Sequence, residues 1–225
     1  MNKFKIIVDM DEVLVDLSEG VRQRVNKDFN KNFPVDFNKS YWWEDYGVER
    51  NYFQDLLDEE NFFYDIIPVE GAVETLTKLH EEGYDIHILT FPQHNRFCFY
   101  DKIRWIKKYL PFINIETNFH TSGNKGMFAT KDRILIDDNE KYLFQFQNNG
   151  GIPIAFRDYN WNKNFKGLRV MDWKGVYNII HKLQDFKDNP NRYSKEWKLE
   201  YESDFKPDSG IDVNKFREYM RRGIY

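Results

Sequence analysis

The sequence predicts an α/β protein: a mainly parallel sheet flanked by helices, with a small helical cap inserted after the first strand. Three observations predict it. Short apolar runs alternate along the chain with segments of helical period. The first of these runs is followed at once by a stretch that breaks the alternation. Three of the runs end on a polar residue able to do chemistry, Asp9, Thr90 or Asp137, and in parallel sheets ligands sit beyond the carboxyl ends of the strands.

"FKIIV" reads as a strand that runs into Asp9. Residues 17 to 68 then hold two helical segments, "LSEGVRQRVNKDFN" and "RNYFQDLLDEENFF", around an aromatic cluster, "YWWEDY". Because they follow the first strand directly, they read as a cap over its end. In "GAVETLTKLHEEG" the residues Val73, Leu76, Leu79 and His80 share a helical face, with Gly83 as the stop. "YDIHILT" alternates toward a strand ending at Thr90. Residues 97 to 110 return to helical period through Phe99, Ile103, Ile106 and Leu110, and Pro111 closes the segment. "NIETNF" reads as a short strand, "RILIDD" as a clear one and "IPIAF" as another. Asp172 is placed to cap "WKGVYNIIHKL", where Val176, Ile179, Ile180 and Leu183 line one face. The expected organisation is an α/β core of residues 1–16 and 69–183, a cap of residues 17–68 and a polar extension, 184–225, ending in a short helix after Asp212.

A chain of 225 residues can bury a substantial core, and 18% aromatic content supports a packed protein. The formal charge of -4 offers no global basic field, so no long nucleic acid is expected as a partner. A single cysteine, Cys98, forms no internal disulfide and fits a reducing cytoplasm. The N-terminal apolar run is too short for a signal peptide, and no window approaches the length of a membrane span.

Asp9 and Asp11 stand two residues apart after a buried strand, and Asp137 and Asp138 end another. Carboxylates forced together raise one another's pKa unless a hard cation neutralises them. An oxygen-only ligand set suits Mg²⁺, and the five histidines are scattered rather than clustered as for zinc. Each piece also has a structural reading: an Asp after a strand often caps a helix or forms a turn. Their joint occurrence in this order favours a site.

These residues resemble the motifs of the haloacid dehalogenase (HAD) superfamily of phosphatases. "DMDEVLVD" is similar to its first motif, DxDx(T/V), Thr90 in "HILTFP" stands at the second and "ILIDD" at the fourth. One branch, the 5'(3')-deoxyribonucleotidases, matches further through "NFFYDIIPVEGAVETL", "YDKIRWIKKYL" and the "DWK" of Asp172 to Lys174. The resemblance covers residues 4 to 183 and implies a Rossmann-like core.

It also implies roles. Asp9 would be the nucleophile that forms an aspartyl-phosphate, and Asp11 the acid and then the base. Mg²⁺ would be held by Asp9, the backbone carbonyl of Asp11 and Asp137, with Asp138 as a ligand through water or a partner of the ligands. Thr90 and the amide of Phe91 would grip phosphate, together with a lysine. Lys125 suits that lysine by position and Lys131 is its competitor. Two departures stand out: the family's "TSP" is "TFP" here, through Phe91, and Glu12 replaces a common Gly.

A nucleobase offers flat apolar faces, so Trp42, Trp43, Phe62 and Phe63 in the cap are candidate pocket walls, the alternative being that they form the cap's own core. The expected activity is that of a phosphoric monoester hydrolase acting on a small-molecule nucleotide. A HAD phosphatase acting on another small ester or a nucleic-acid end, and a non-catalytic HAD-fold binding protein, are the alternatives. The aromatic, polar extension leaves a homo-oligomer open.

Overall fold

The computed structural model describes residues 3–34, 42–91 and 96–189; the 184–225 extension lies outside them beyond Asn189. Six strands form one sheet: β1 (Lys5–Val8), β2 (Asp85–Thr90), β3 (Phe119–Thr121), β4 (Arg133–Asp137), β5 (Ile152–Phe156) and β6 (Leu168–Val170). Their order is β3-β2-β1-β4-β5-β6, and every pairing is parallel. The first strand is central, with Val8 beside Ile88 of β2 and Ile136 of β4. Strands covered on both faces lose the apolar-polar alternation of a half-exposed strand, and accordingly Ile152–Phe156 is buried throughout.

Successive strands build outward from β1 to β3 on one side, and then from β4 to β6 on the other. The sheet therefore reverses its direction of growth between β1 and β4, and a crevice opens there at the carboxyl ends. Asp9 follows β1, Thr90 closes β2 and Asp137 closes β4. The hydrogen bond from Asp9 N to Ile136 O, 2.9 Å, extends the β1–β4 ladder to the edge of that crevice.

Helices α1 (Leu17–Asp28), α2 (Trp42–Tyr46), α3 (Arg50–Leu57) and α4 (Phe62–Asp65) lie between β1 and β2. The second cap segment, expected as one helix, is two, because Asn61 takes a left-handed conformation with φ +71° and breaks it. The chain enters and leaves this insertion side by side: Val69 N donates to Leu14 O at 2.8 Å and Asp16 N to Ile67 O at 3.2 Å. Val21, Val25, Leu56 and Phe63 of the insertion join the same apolar cluster as Ile6 and Val8. Cap and sheet thus share one core.

The remaining helices are α5 (Ala72–Glu81), α6 (Cys98–Tyr109), α7 (Ile115–Asn118), α8 (Glu140–Asn148) and α9 (Trp173–Asp188). The expected strand at "NIETNF" is helix α7 for its first part, because the Asn114 side chain accepts from Glu116 N and caps a turn; β3 starts only at Phe119. Strand β6 had no clear sequence signal in three residues. In α5, Leu76 and Leu79 are buried as the period requires, but His80 is exposed and stacks on Phe112 at 4.4 Å. Asp172 caps α9 as expected, accepting from Gly175 N at 2.7 Å, and Val176, Ile179, Ile180 and Leu183 are all buried. Helix α6 differs most from its sequence pattern. It buries Cys98, Asp101, Lys102, Trp105 and Ile106, whereas Phe99 is exposed. Its inner face is turned toward the crevice and carries charge. No helix among the described residues is long and apolar enough to cross a membrane.

Candidate active site

The turn after β1 is what brings two acids together. Met10 O accepts from both Leu14 N (2.8 Å) and Val15 N (3.0 Å), and Glu12 takes a left-handed conformation, φ +60°. This tight turn places Asp9 and Asp11 at the same crevice. Asp9, Asp137 and Asp138 are all buried, and one carboxylate oxygen from each lies within 4.8 Å of the others. Asn139 N donates to Asp137 Oδ1 at 2.9 Å and orients it. The indole of Trp161 donates to Asp138 Oδ2 at 2.7 Å.

Two fully buried lysines face these acids. Lys125 Nζ lies 2.7 Å from Asp9 Oδ1 and 2.7 Å from Asp137 Oδ2. It stands in a short 3₁₀ turn, Lys125–Phe128, that presses on α8: Lys125 N donates to Gln145 Oε1 at 3.0 Å. A Cβ on Gly126 would come within 2.8 Å of Gln145 O, so this approach requires glycine. Its competitor Lys131 is exposed and outside the cluster.

The second lysine, Lys102, escaped sequence reading. Its Nζ donates to Asp11 Oδ2 at 2.6 Å and to Thr90 Oγ1 at 2.9 Å. The signal that could have found it was a lysine midway between Cys98 and Trp105, on the face that would be innermost if those two were buried.

Electrostatics follow from burial. Loss of water pushes Asp137 up to about 7, with Lys125 opposing and Asp9 reinforcing the shift. Asp138 is driven well up by burial and by its neighbours Asp137 and Asp9. Asp11 is also raised, chiefly by burial, although Lys102 pulls it back. Burial disfavours the Lys125 ammonium, but Asp137 and Asp9 outweigh it and hold it charged. With all four carboxyl groups ionised their charge would exceed that of the two ammonium groups, an imbalance that bound protons or a divalent cation would offset. The donors are hard oxygens, three of them converging, which fits such an ion. The Asp11 side chain lies outside that group, and its Oδ1 is buried without a hydrogen-bond partner.

The aromatic candidates separate. Trp42 and Trp43 open α2, and their side chains lie outside the described residues. Phe62 packs edge-on against Phe63, ring centroids 5.4 Å apart. It lines a cavity of about 370 Å³ between α1 and α4, whose other walls include Glu19, Arg24 and Glu59. Phe63 is buried in the core with its ring centroid 5.2 Å from Lys102 Nζ. Phe91 is 41% exposed and its ring lies over Gly123, where a Cβ would be 3.2 Å from it.

The family model described as 5' nucleotidase, deoxy (pyrimidine), cytosolic type C protein matches residues 2–186. A protein from Staphylococcus epidermidis named "putative 5'(3')-deoxyribonucleotidase" is 30% identical over 186 residues, 82% of this chain and 99% of its own length. Among solved structures, a haloacid dehalogenase-like protein from Agrobacterium tumefaciens superposes with a TM-score of 0.53 at 11% identity, covering 81% of this chain and 99% of that one. Magnesium-bound YfnB from Bacillus subtilis gives 0.51 at 11% identity, covering 80% and 100%. These last two likenesses are of fold.

Proposed function

This chain belongs to the cytosolic type C deoxy (pyrimidine) 5' nucleotidase family and is a phosphoric monoester hydrolase of HAD type; from that premise we propose that it hydrolyses deoxyribonucleoside monophosphates to nucleoside and phosphate in the cytoplasm, with Mg²⁺. The observation that carries the reading is the convergence of Asp9, Asp11, Thr90, Lys125 and Asp137 at the carboxyl edge of the sheet.

In the first step an Asp9 carboxylate oxygen attacks phosphorus and the bond to the ester oxygen breaks. Asp11, whose raised proton affinity keeps it a usable acid, donates its proton to that leaving oxygen. In the second step Asp11 takes a proton from water as the water oxygen attacks phosphorus, and the Asp9–phosphorus bond breaks. Lys125 holds Asp9 in place and offsets charge on the phosphoryl oxygens. Lys102 keeps Asp11 and the Thr90 hydroxyl in fixed positions on the other side. Asp9, Asp137 and Asp138, with the backbone carbonyl of Asp11, would hold Mg²⁺, which when bound supplies charge that offsets repulsion between carboxylate and phosphate. The magnesium of YfnB, on a related fold, supports that choice of ion.

Phe91 favours a second reading in which the leaving group differs from a deoxynucleoside. A half-exposed ring occupies the position next to Thr90 where the family places a small Ser, and it would narrow the space beside the phosphate. Phosphate release from a panel of deoxyribonucleotides, ribonucleotides and sugar phosphates, with Mg²⁺ and with chelator, tests both. Deoxyribonucleoside monophosphates should be cleaved fastest and only with the ion. Preference for a sugar phosphate would establish the second reading, and no cleavage of any ester would remove both.

A further inference from the structure

We infer that the loop between β5 and β6 supplies a positioning residue for the ion site: Trp161, tied down through Tyr159 to Glu12, aims the carboxylate of Asp138. This rests on the divalent-ion reading above.

The connection is continuous. Trp161 Nε1 donates to Asp138 Oδ2 at 2.7 Å. Its ring stacks on Tyr159, centroids 4.3 Å apart and planes 10° from parallel. The Tyr159 hydroxyl donates to Glu12 Oε2 at 3.3 Å and accepts from Arg157 Nη1 at 3.1 Å. Glu12 is anchored in turn by Ser18, whose N and Oγ both donate to Oε1 at 2.6 Å. The backbone of Asp138 is held from the same loop: buried Asn162 donates from Nδ2 to Asp138 O at 2.8 Å, and its Oδ1 accepts from Arg169 at 2.7 Å.

Both ends of this link are non-glycine residues in the left-handed region, Glu12 at φ +60° and Arg157 at φ +57°. Such conformations persist only where the surroundings hold them, and here the side chains of both residues are bonded to Tyr159. An indole N–H fixed on one carboxylate oxygen stops the group rotating about its Cβ–Cγ bond. That keeps an Asp138 oxygen within 4.8 Å of those of Asp9 and Asp137. Partners of this kind typically change metal affinity by about 10–100-fold when removed.

The test is Mn²⁺ binding to the full chain, followed by electron paramagnetic resonance of the free ion, with ion-free melting temperatures recorded on the same samples. Trp161→Phe keeps the stacked ring and loses the donor, and should weaken Mn²⁺ binding by about tenfold or more. Tyr159→Phe keeps the stack and cuts the link to Glu12 and Arg157, and should weaken it in the same direction but less. An unchanged dissociation constant in the folded variants, with the unaltered chain binding Mn²⁺, overturns the positioning role alone. If Trp161→Phe does not fold, Tyr159→Phe decides by the same criterion. Absence of Mn²⁺ binding by the unaltered chain would overturn the divalent-ion reading and this inference with it.

Discussion

Lys102 and Asp11 form an ion pair across 2.6 Å that joins α6 to the turn after β1. The lysine lowers the proton affinity of an acid that burial raises. Lys102→Met should push Asp11 further up, so that the base form needed for water attack appears only at higher pH. The low-pH limb of the kcat profile is expected to move to higher pH, with maximal kcat lower by about 10²-fold. A profile that keeps its position would separate Lys102 from the proton transfers.

Asp9→Asn removes the attacking oxygen while keeping shape and most contacts of the buried side chain. Turnover should fall by at least about 10³-fold, with the circular dichroism spectrum unchanged. Undiminished turnover would take Asp9 out of the chemistry.

The two candidate lysines should behave oppositely. Lys125 is fully buried between Asp9 and Asp137, and Lys125→Ala leaves both acids without their cation. Breaking a buried pair from one side costs about 3–5 kcal/mol, so denaturant midpoints should drop sharply and activity with them. Lys131→Ala, on the surface, should stay within about 0.5 kcal/mol. Equal effects would contradict the assignment of Lys125.

Stability should depend on pH and ion together. Asp137 is pushed up to about 7 by burial, so between the ordinary carboxylate range and that value the folded state binds more protons than the unfolded one. Ion-free stability therefore falls as pH rises through this window. Lys125, also raised, has the same sign, but its contribution is lost only above the ordinary lysine range, outside the window. Because an ion competes with those protons, Mg²⁺ should raise the melting temperature more at about pH 7.5 than at about pH 5. Equal shifts at both would contradict an acid-held ion.

Much of this site was legible because a parallel strand announces its own end. An apolar run that stops on Asp9, Thr90 or Asp137 marks the edge where ligands sit, and the structure brings those three edges together. Lys102 was hidden for a physical reason. Periodicity assumes that the buried face of a helix is the apolar one, and α6 instead turns Asp101 and Lys102 inward while leaving Phe99 outside. For Phe62 the sequence left two readings, pocket wall or cap core, because aromatic character says that a residue is buried but not against what. Trp161 lies 23 residues from the acid it orients, and only the fold makes them neighbours.

The central claim is that a phosphoryl group passes through the side chain of Asp9. Asp11→Asn should slow release of that group more than its capture, so the variant mixed with substrate and Mg²⁺, quenched in acid and digested, can be read by peptide mass spectrometry. A peptide containing Asp9 that carries the mass of one phosphoryl group is the expected result. Phosphate formed by the unaltered chain, with the adduct on another residue or on none under these conditions, would contradict the account.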